Sequence, residues 1–397
     1  MRTGLLSAVV MFVFVLSSPL ICRSADTMGS ERSGAFQSGA ASPNAQTGQS
    51  LMLAQASGSG IPNPLETETV MIPDSGEFNL LSRDPLELIR LDNIKPLYTS
   101  PRLAGEGVWE SSGSPRDSQG RPMIYKTFYR PSVDFPNAIV YMMVVDMSKA
   151  FMQYYVGTQE PGAPMAVSEV ESEMRSRIMA FTNAMWMQRH SRGAGAIFRG
   201  KVIYPMVEGM ASLIVFKDGS ADIQEWGPDI PLHMVRDARQ LRHLIVKNGM
   251  VVQSIMRNGK LEDSEIGLGF LLGGGGKDQD GKHFWFVAHR SAFGIRKDGN
   301  LVFAIGHHIG TKDLAKALVL AGCERGMHGD ANPHNIVANL YIRDGFGNLV
   351  TKNRLSPEQS KYTLKRYEDA YSKDFFGFFF REPETSNRPS TFSHNNN

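Results

Sequence analysis

The sequence predicts an α+β fold: a single domain of hairpin-linked strands in a mixed or antiparallel sheet, with a few helices packed on it. Three observations carry that expectation. Apolar runs with the length of buried strands recur along the chain. Turn dipeptides separate several of them, at Asp218-Gly219, Asn248-Gly249, Asp298-Gly299 and Asp344-Gly345. Helical periodicity is confined to a few stretches, and no internal repeat is visible.

The 397 residues begin with Arg2, an apolar run from Leu5 to Leu16 and a polar exit at Ser17, Ser18 and Pro19. That is the pattern of a signal peptide over residues 1–24, too short in its apolar core for a spanning helix of roughly 20 residues. Residues 25–64 are Ser, Gly, Ala, Gln and Pro with few large apolar side chains, so they read as a disordered linker. A folded domain is expected over residues 65–384, with its core at 138–342, and a disordered polar tail over 385–397.

Ala138 to Met147 and Phe151 to Gly157 read as adjacent buried strands. Val167, Met174 and Phe181, with Val170 and Ile178 between them, mark an amphipathic helix. Short strands follow at Ala196 to Arg199, Ser212 to Phe216 and Ala221 to Trp226, then at His243 to Lys247 and Met250 to Ile255. Gly273 to Gly276 lack the Gly-Lys-Ser/Thr ending of a phosphate loop and read as a loop between strands. Ser291 to Ile295 and Leu301 to Ile305 form the next hairpin, and Leu314, Ala317, Leu318 and Ala321 form a helical face with Thr311 as N-cap and Gly322 at its end. Ile336 to Arg343 completes the sheet, and the run Phe375 to Phe380 reads as a final core strand.

Composition narrows the function classes. At 42% hydrophobic and 21% charged, the chain is neither a polytopic membrane protein nor a fibre. A net charge of +2, with no basic stripe interleaved with aromatics, points away from nucleic acid as a partner, and no stable membrane span is expected once the leader is removed. Cys22 and Cys323 are the two cysteines, so removal of the leader leaves no internal disulfide and no thiolate pair for zinc.

Groups able to act as acid, base or ligand gather in the C-terminal half: His289, Arg290, His307, His308, and then His328, Asp330, Asn332 and His334. Pro333 implies a turn that brings His328, Asp330 and His334 toward one point. As an acid/base set, Asp330 is the carboxylate and a histidine titrates beside it. As a metal set, two imidazoles and a carboxylate suit zinc or manganese. A hydrogen-bonded turn with surface histidines is the third reading of the same residues. The sequence requires no cofactor and leaves a divalent metal open.

In order along the chain, Phe181-Thr182-Asn183-Ala184-Met185-Trp186, the strand Arg290-Ser291-Ala292-Phe293-Gly294, the helix Leu314 to Cys323 and the loop His328-Gly329-Asp330-Ala331-Asn332-Pro333-His334 resemble the phosphodiester glycosidase family of the uncovering-enzyme type, in a divergent bacterial form. The last loop keeps Asp330 but carries Ala331, Asn332, Pro333 and His334 where that family has glycines and serine. The resemblance implies an exported hydrolase, secreted or periplasmic, that cleaves a sugar from a phosphodiester in a glycan or envelope glycopolymer. It implies Asp330, Arg290, His334 and His328 as catalytic residues, and Asn183 and Asn332 as ligands to sugar hydroxyls or phosphate oxygens. Two alternatives stand beside it: a glycan-binding protein on the same fold without catalysis, and a metal-dependent hydrolase using His328, Asp330 and His334.

Overall fold

Alternation along the strands decides how this chain layers itself. In β2 (Val140–Val145), Val140, Met142 and Val144 face one hydrophobic cluster, while Tyr141, Met143 and Val145 face another. In β13 (Leu301–Ile309), Val302 and Ala304 join the first cluster; Leu301, Phe303 and Ile305 join the second. A strand apolar on both faces has to lie inside, and these two are central neighbours in a large sheet.

That chain is seen here in a computed structural model describing residues 89–133, 135–160, 169–188, 191, 193–252, 288–344, 346 and 348–381, all within one contact unit, Gly76–Asn397. The leader, the linker, the tail and the Gly273 to Gly276 loop lie outside the described residues. The remaining strands are β1 (Ile124–Tyr129), β3 (Ala150–Tyr155), β4 (Ile178–Asn183), β5 (Ala196–Phe198), β6 (Lys201–Tyr204), β7 (Ala211–Phe216), β8 (Ala221–Glu225), β9 (Val235–Gln240), β10 (Leu244–Lys247), β11 (Met250–Val251), β12 (Ala288–Arg296), β14 (Cys323–His328), β15 (Ala338–Arg343), β16 (Leu349–Arg354) and β17 (Phe375–Phe380). Every pairing between them is antiparallel.

They form three sheets, in the orders β1-β2-β13-β12-β14-β10-β11, β16-β15-β4-β17-β3 and β6-β5-β9-β7-β8. The single α-helix among the described residues, α1 (Thr311–Leu320), lays Leu314, Ala315, Ala317 and Leu318 on the outer face of the first sheet. It approaches closely because paired Gly294 and Gly326 lie beneath it: a Cβ on Gly326 would stand 2.8 Å from Leu318 Cδ1. The other face of the first sheet shares its core with Met152, Tyr154, Phe376 and Phe378 of the second and Leu213, Val215 and Ile223 of the third.

The expected α+β class is met in part: the architecture is mostly antiparallel sheet with little helix. The amphipathic helix expected through Phe181 is instead a short 3-10 segment, Ser172–Arg177, followed by β4. All six residues of β4 are buried because β15 and β17 flank it, so its apolar residues serve two faces where a helix would serve one. The expected adjacency of β2 and β3 also fails; they lie in different sheets, as do β15 and the central hairpin. Gly310, not Thr311, is the N-cap of α1, and Thr311 makes no capping hydrogen bond. The Phe run is the core strand expected, central in the second sheet between β4 and β3.

Candidate functional site

β12 and β14 are neighbours, with Ala292 opposite His328, so Arg290, Ser291 and the loop after His328 meet at one end of the pair. His328 therefore ends a strand rather than following the helix directly. Arg290 Nη1 donates to His328 Nε2 at 3.0 Å, and Arg290 Nε donates to the Ile309 carbonyl at 3.2 Å. A guanidinium only donates, so His328 Nε2 is the acceptor and the ring proton sits on Nδ1. Burial first, and the Arg290 charge second, push the His328 pKa well below its ordinary value, although the Gly329 backbone acts the other way. His328 is a neutral imidazole.

One residue along, Ser291 ties three segments together. Its Oγ accepts from Asn183 Nδ2 at 2.8 Å and from the Asp330 backbone N–H at 2.8 Å. Gly329 N–H donates to the Ser291 carbonyl and Ser291 N–H to the Asp330 carbonyl. Gly329 has to be glycine here, since a Cβ would lie 2.4 Å from Ser291 Oγ. Asn183 spends its amide on the frame: Nδ2 also donates to the Ala184 carbonyl, and Oδ1 accepts from Val337 N–H. This places Asn183 at the site as a strut between β4, β12 and the chain entering β15.

Asp330 Oδ1 accepts from the N–H groups of Ala331 at 2.7 Å and Asn332 at 2.9 Å, closing the turn. Burial nevertheless dominates, and with the Asp374 charge it raises the Asp330 pKa to about 6 against those hydrogen bonds. A carboxyl that titrates near neutrality inside a polar cluster is suited to proton transfer or attack.

The Asp374 carboxylate belongs to a buried network that sequence reading missed. Tyr154 Oη and Arg239 Nε each donate to Asp374 Oδ2 at 2.9 Å, Arg239 lies 3.8 Å from Glu160, and Arg239 Nη2 donates to the Trp186 carbonyl at 2.6 Å. Burial lowers the Arg239 pKa, but Asp374 beside it outweighs that, and the guanidinium stays charged. Trp186 links this network to the site, because its indole packs edge-on against the His328 ring with centroids 5.2 Å apart. The signal available in sequence was weak: β9 reads Val-Arg-Asp-Ala-Arg-Gln, which looks like a solvated loop.

The remaining expected residues lie outward. Asn332 and His334 are exposed, and Asn332 Oδ1 accepts from the His334 N–H within the turn. His334 thus stands apart from buried His328, and the three-ligand set of His328, Asp330 and His334 does not form; among the described residues, no three His, Cys, Asp or Glu side chains are placed to hold a metal ion. His289, His307 and His308 form their own group, with His289 Nδ1 2.8 Å from His307 Nδ1 and His307 Nε2 2.8 Å from Ser356 Oγ. Two shallow cavities, of about 290 and 170 Å³, lie elsewhere, sharing Ser176, Ile178, Tyr341 and Arg343. No helix among the described residues is long and apolar enough to cross a membrane.

No family model and no curated protein matches the chain. Among solved structures, it is similar at 13% identity and a TM-score of 0.40 to the catalytic domain of zebrafish N-acetylglucosamine-1-phosphodiester alpha-N-acetylglucosaminidase, auto-inhibited by its pro-peptide, covering 68% of this chain and 87% of that one. It is also similar to a hypothetical protein from Synechocystis at 10% identity and a TM-score of 0.35, over 65% of this chain and 62% of that one. At these values no residue role passes from either protein to this one.

Proposed function

We propose that the protein is an exported hydrolase that cleaves a glycosyl phosphodiester, with Asp330 as the reacting carboxylate. The observation that carries this reading is the pairing of a buried carboxyl titrating near 6 with a buried guanidinium on adjoining strand ends, joined through Ser291. Arg290 suits the single negative charge of a diester and the charge that grows on a departing phosphate. Asp330 as base takes a proton from water, water oxygen bonds the anomeric carbon, and the carbon–oxygen bond to phosphate breaks with its electron pair leaving on the phosphomonoester. In this reading Asn183 positions the apparatus, and Asn332 and His334, exposed on one turn, contact sugar hydroxyls.

The test is hydrolysis of nucleotide-sugar and simple glycosyl-phosphodiester substrates by purified protein and by Asp330→Asn, which keeps an oxygen for the Ala331 and Asn332 N–H groups. Release of phosphomonoester by the wild type, with a loss of at least about a hundredfold in the variant, is expected. Equal rates in the two proteins would remove Asp330 from the reaction, and glycan binding without turnover by the wild type would favour a binding protein instead.

A further inference from the structure

Two side chains at the site hold buried N–H groups with no acceptor among the described residues. His328 carries its proton on Nδ1, because Nε2 accepts from Arg290, and Nδ1 makes no hydrogen bond; the Gly329 backbone influences the ring without meeting hydrogen-bond geometry at that atom. Trp186 Nε1, which can only donate, is likewise buried without a partner. The two rings are in contact, and both residues are at most 4% exposed. A buried donor left unpaired keeps its desolvation cost uncompensated, so two of them on touching rings are a concentrated cost unless something accepts from them.

From these two unpaired donors we infer an oxyanion subsite in which Trp186 Nε1–H and His328 Nδ1–H hold oxygen atoms of the substrate's phosphoryl group, across the His328 ring from the Arg290 guanidinium. The chemistry selects the ligand. His328 in this tautomer and Trp186 leave only donors unpaired, so the complementary group is an acceptor without protons of its own, and the Arg290 charge on the other side of the His328 ring favours an anion over a neutral carbonyl. Both nitrogens are closed to solvent, so binding opens the Trp186–His328 ring contact and changes the environment of the indole. The inference rests on the phosphodiester reading above for the identity of the anion as phosphoryl, yet it concerns binding alone. It makes Trp186 and His328 the residues that recognise phosphate, and leaves bond cleavage to Asp330.

The experiment uses the full chain, nitrogen-15 labelled, titrated with inorganic phosphate and, in parallel, with acetate. The Trp186 indole resonance, identified by its loss in Trp186→Phe, is expected to shift with phosphate and to saturate. Trp186→Phe keeps the ring and the backbone carbonyl that Arg239 uses, and is expected to bind phosphate about tenfold more weakly with an unchanged melting temperature. His328→Gln, which retains an acceptor for Arg290, is the second variant and should weaken binding without unfolding the protein. Phosphate affinity equal in wild type and Trp186→Phe overturns the subsite, as does an indole resonance that stays fixed at saturating phosphate, or one that answers acetate equally. Phosphate binding as described in a protein that turns over no glycosyl phosphodiester leaves the subsite standing and refutes the hydrolase reading.

Discussion

Arg290 Nη1 stands 3.0 Å from His328 Nε2, joining residues 38 apart in sequence on neighbouring strands. The contact fixes both the tautomer and the charge of the histidine: a donor-only neighbour and full burial together exclude the imidazolium. The site therefore combines one permanent cation, one neutral ring and one carboxyl that titrates near neutrality.

Asp330 should give opposite signs in stability and activity. Its pKa is raised by folding from 3.8 to about 6, so the stability linked to its proton is full below the unfolded value and is lost as pH rises through 6. Ionised Asp330 then costs about 3 kcal/mol at pH 7. Asp330→Asn is expected to raise the urea midpoint at pH 7.5 while abolishing hydrolysis, and wild-type kcat/KM should climb on an acid limb near pH 6. A variant less stable than wild type at pH 7.5 would contradict this electrostatic account.

The histidine group predicts the reverse dependence. Burial, then His289 and His308, lower His307 from 6.5 to about 4. Its contribution is full above the unfolded value and lost as pH falls from 6.5 toward 4, amounting to about 3 kcal/mol. Compared at pH 7 and pH 4.5 in the Asp330→Asn background, which removes the opposing carboxyl, denaturant unfolding should show this loss, and His307→Gln, whose amide takes the place of Nε2 beside Ser356, should reduce it. An acid slope identical in the two proteins would assign the loss elsewhere.

Ser291→Ala strands two buried donors, Asn183 Nδ2 and the Asp330 N–H. At about 1–3 kcal/mol for each unsatisfied group, a combined loss of a few kcal/mol is expected in chemical denaturation. Gly329→Ala should act on the same knot by displacing Ser291 Oγ. The double variant is accordingly expected to lose less than the sum of the singles; strict additivity would show that the two positions act independently.

Arg239 and Asp374 form an ion pair closed to solvent, at 2.9 Å. Arg239→Met leaves Asp374 and Glu160 without their cation and should destabilise the fold by about 3–5 kcal/mol. Asp374→Asn keeps an acceptor for Tyr154 and should also lower the Asp330 pKa, since the Asp374 charge helps raise it. The activity limb near pH 6 would then move to lower pH; a limb that stays put would separate the two carboxylates.

Much of the fold was readable where a strand is apolar and a turn dipeptide follows it. β7 and β8, β10 and β11, and β12 and β13 each pair across the turn that the sequence marks. β14 escaped because Cys-Glu-Arg-Gly-Met-His carries no β-branched residue, and its place is earned by packing Met327 and Cys323 on opposite faces. β9 escaped because its Asp237, Arg239 and Gln240 are buried polar residues whose partners are distant in sequence, Asp374 among them.

By itself the sequence determined the local terms: which segments alternate, where turns fall, that the Phe run belongs to the core, and that Arg290 and Asp330 are polar residues at the ends of regular elements. Only the tertiary structure decided what those residues are chemically. Asp330 titrates near 6 because the fold buries it beside Asp374; His328 is neutral because β12 sets Arg290 against it; and Trp186 enters the site because its segment crosses from β4 toward the His328 ring. Protonation and hydrogen-bond roles depend on burial and on neighbours distant along the chain, and no local pattern of residues encodes either.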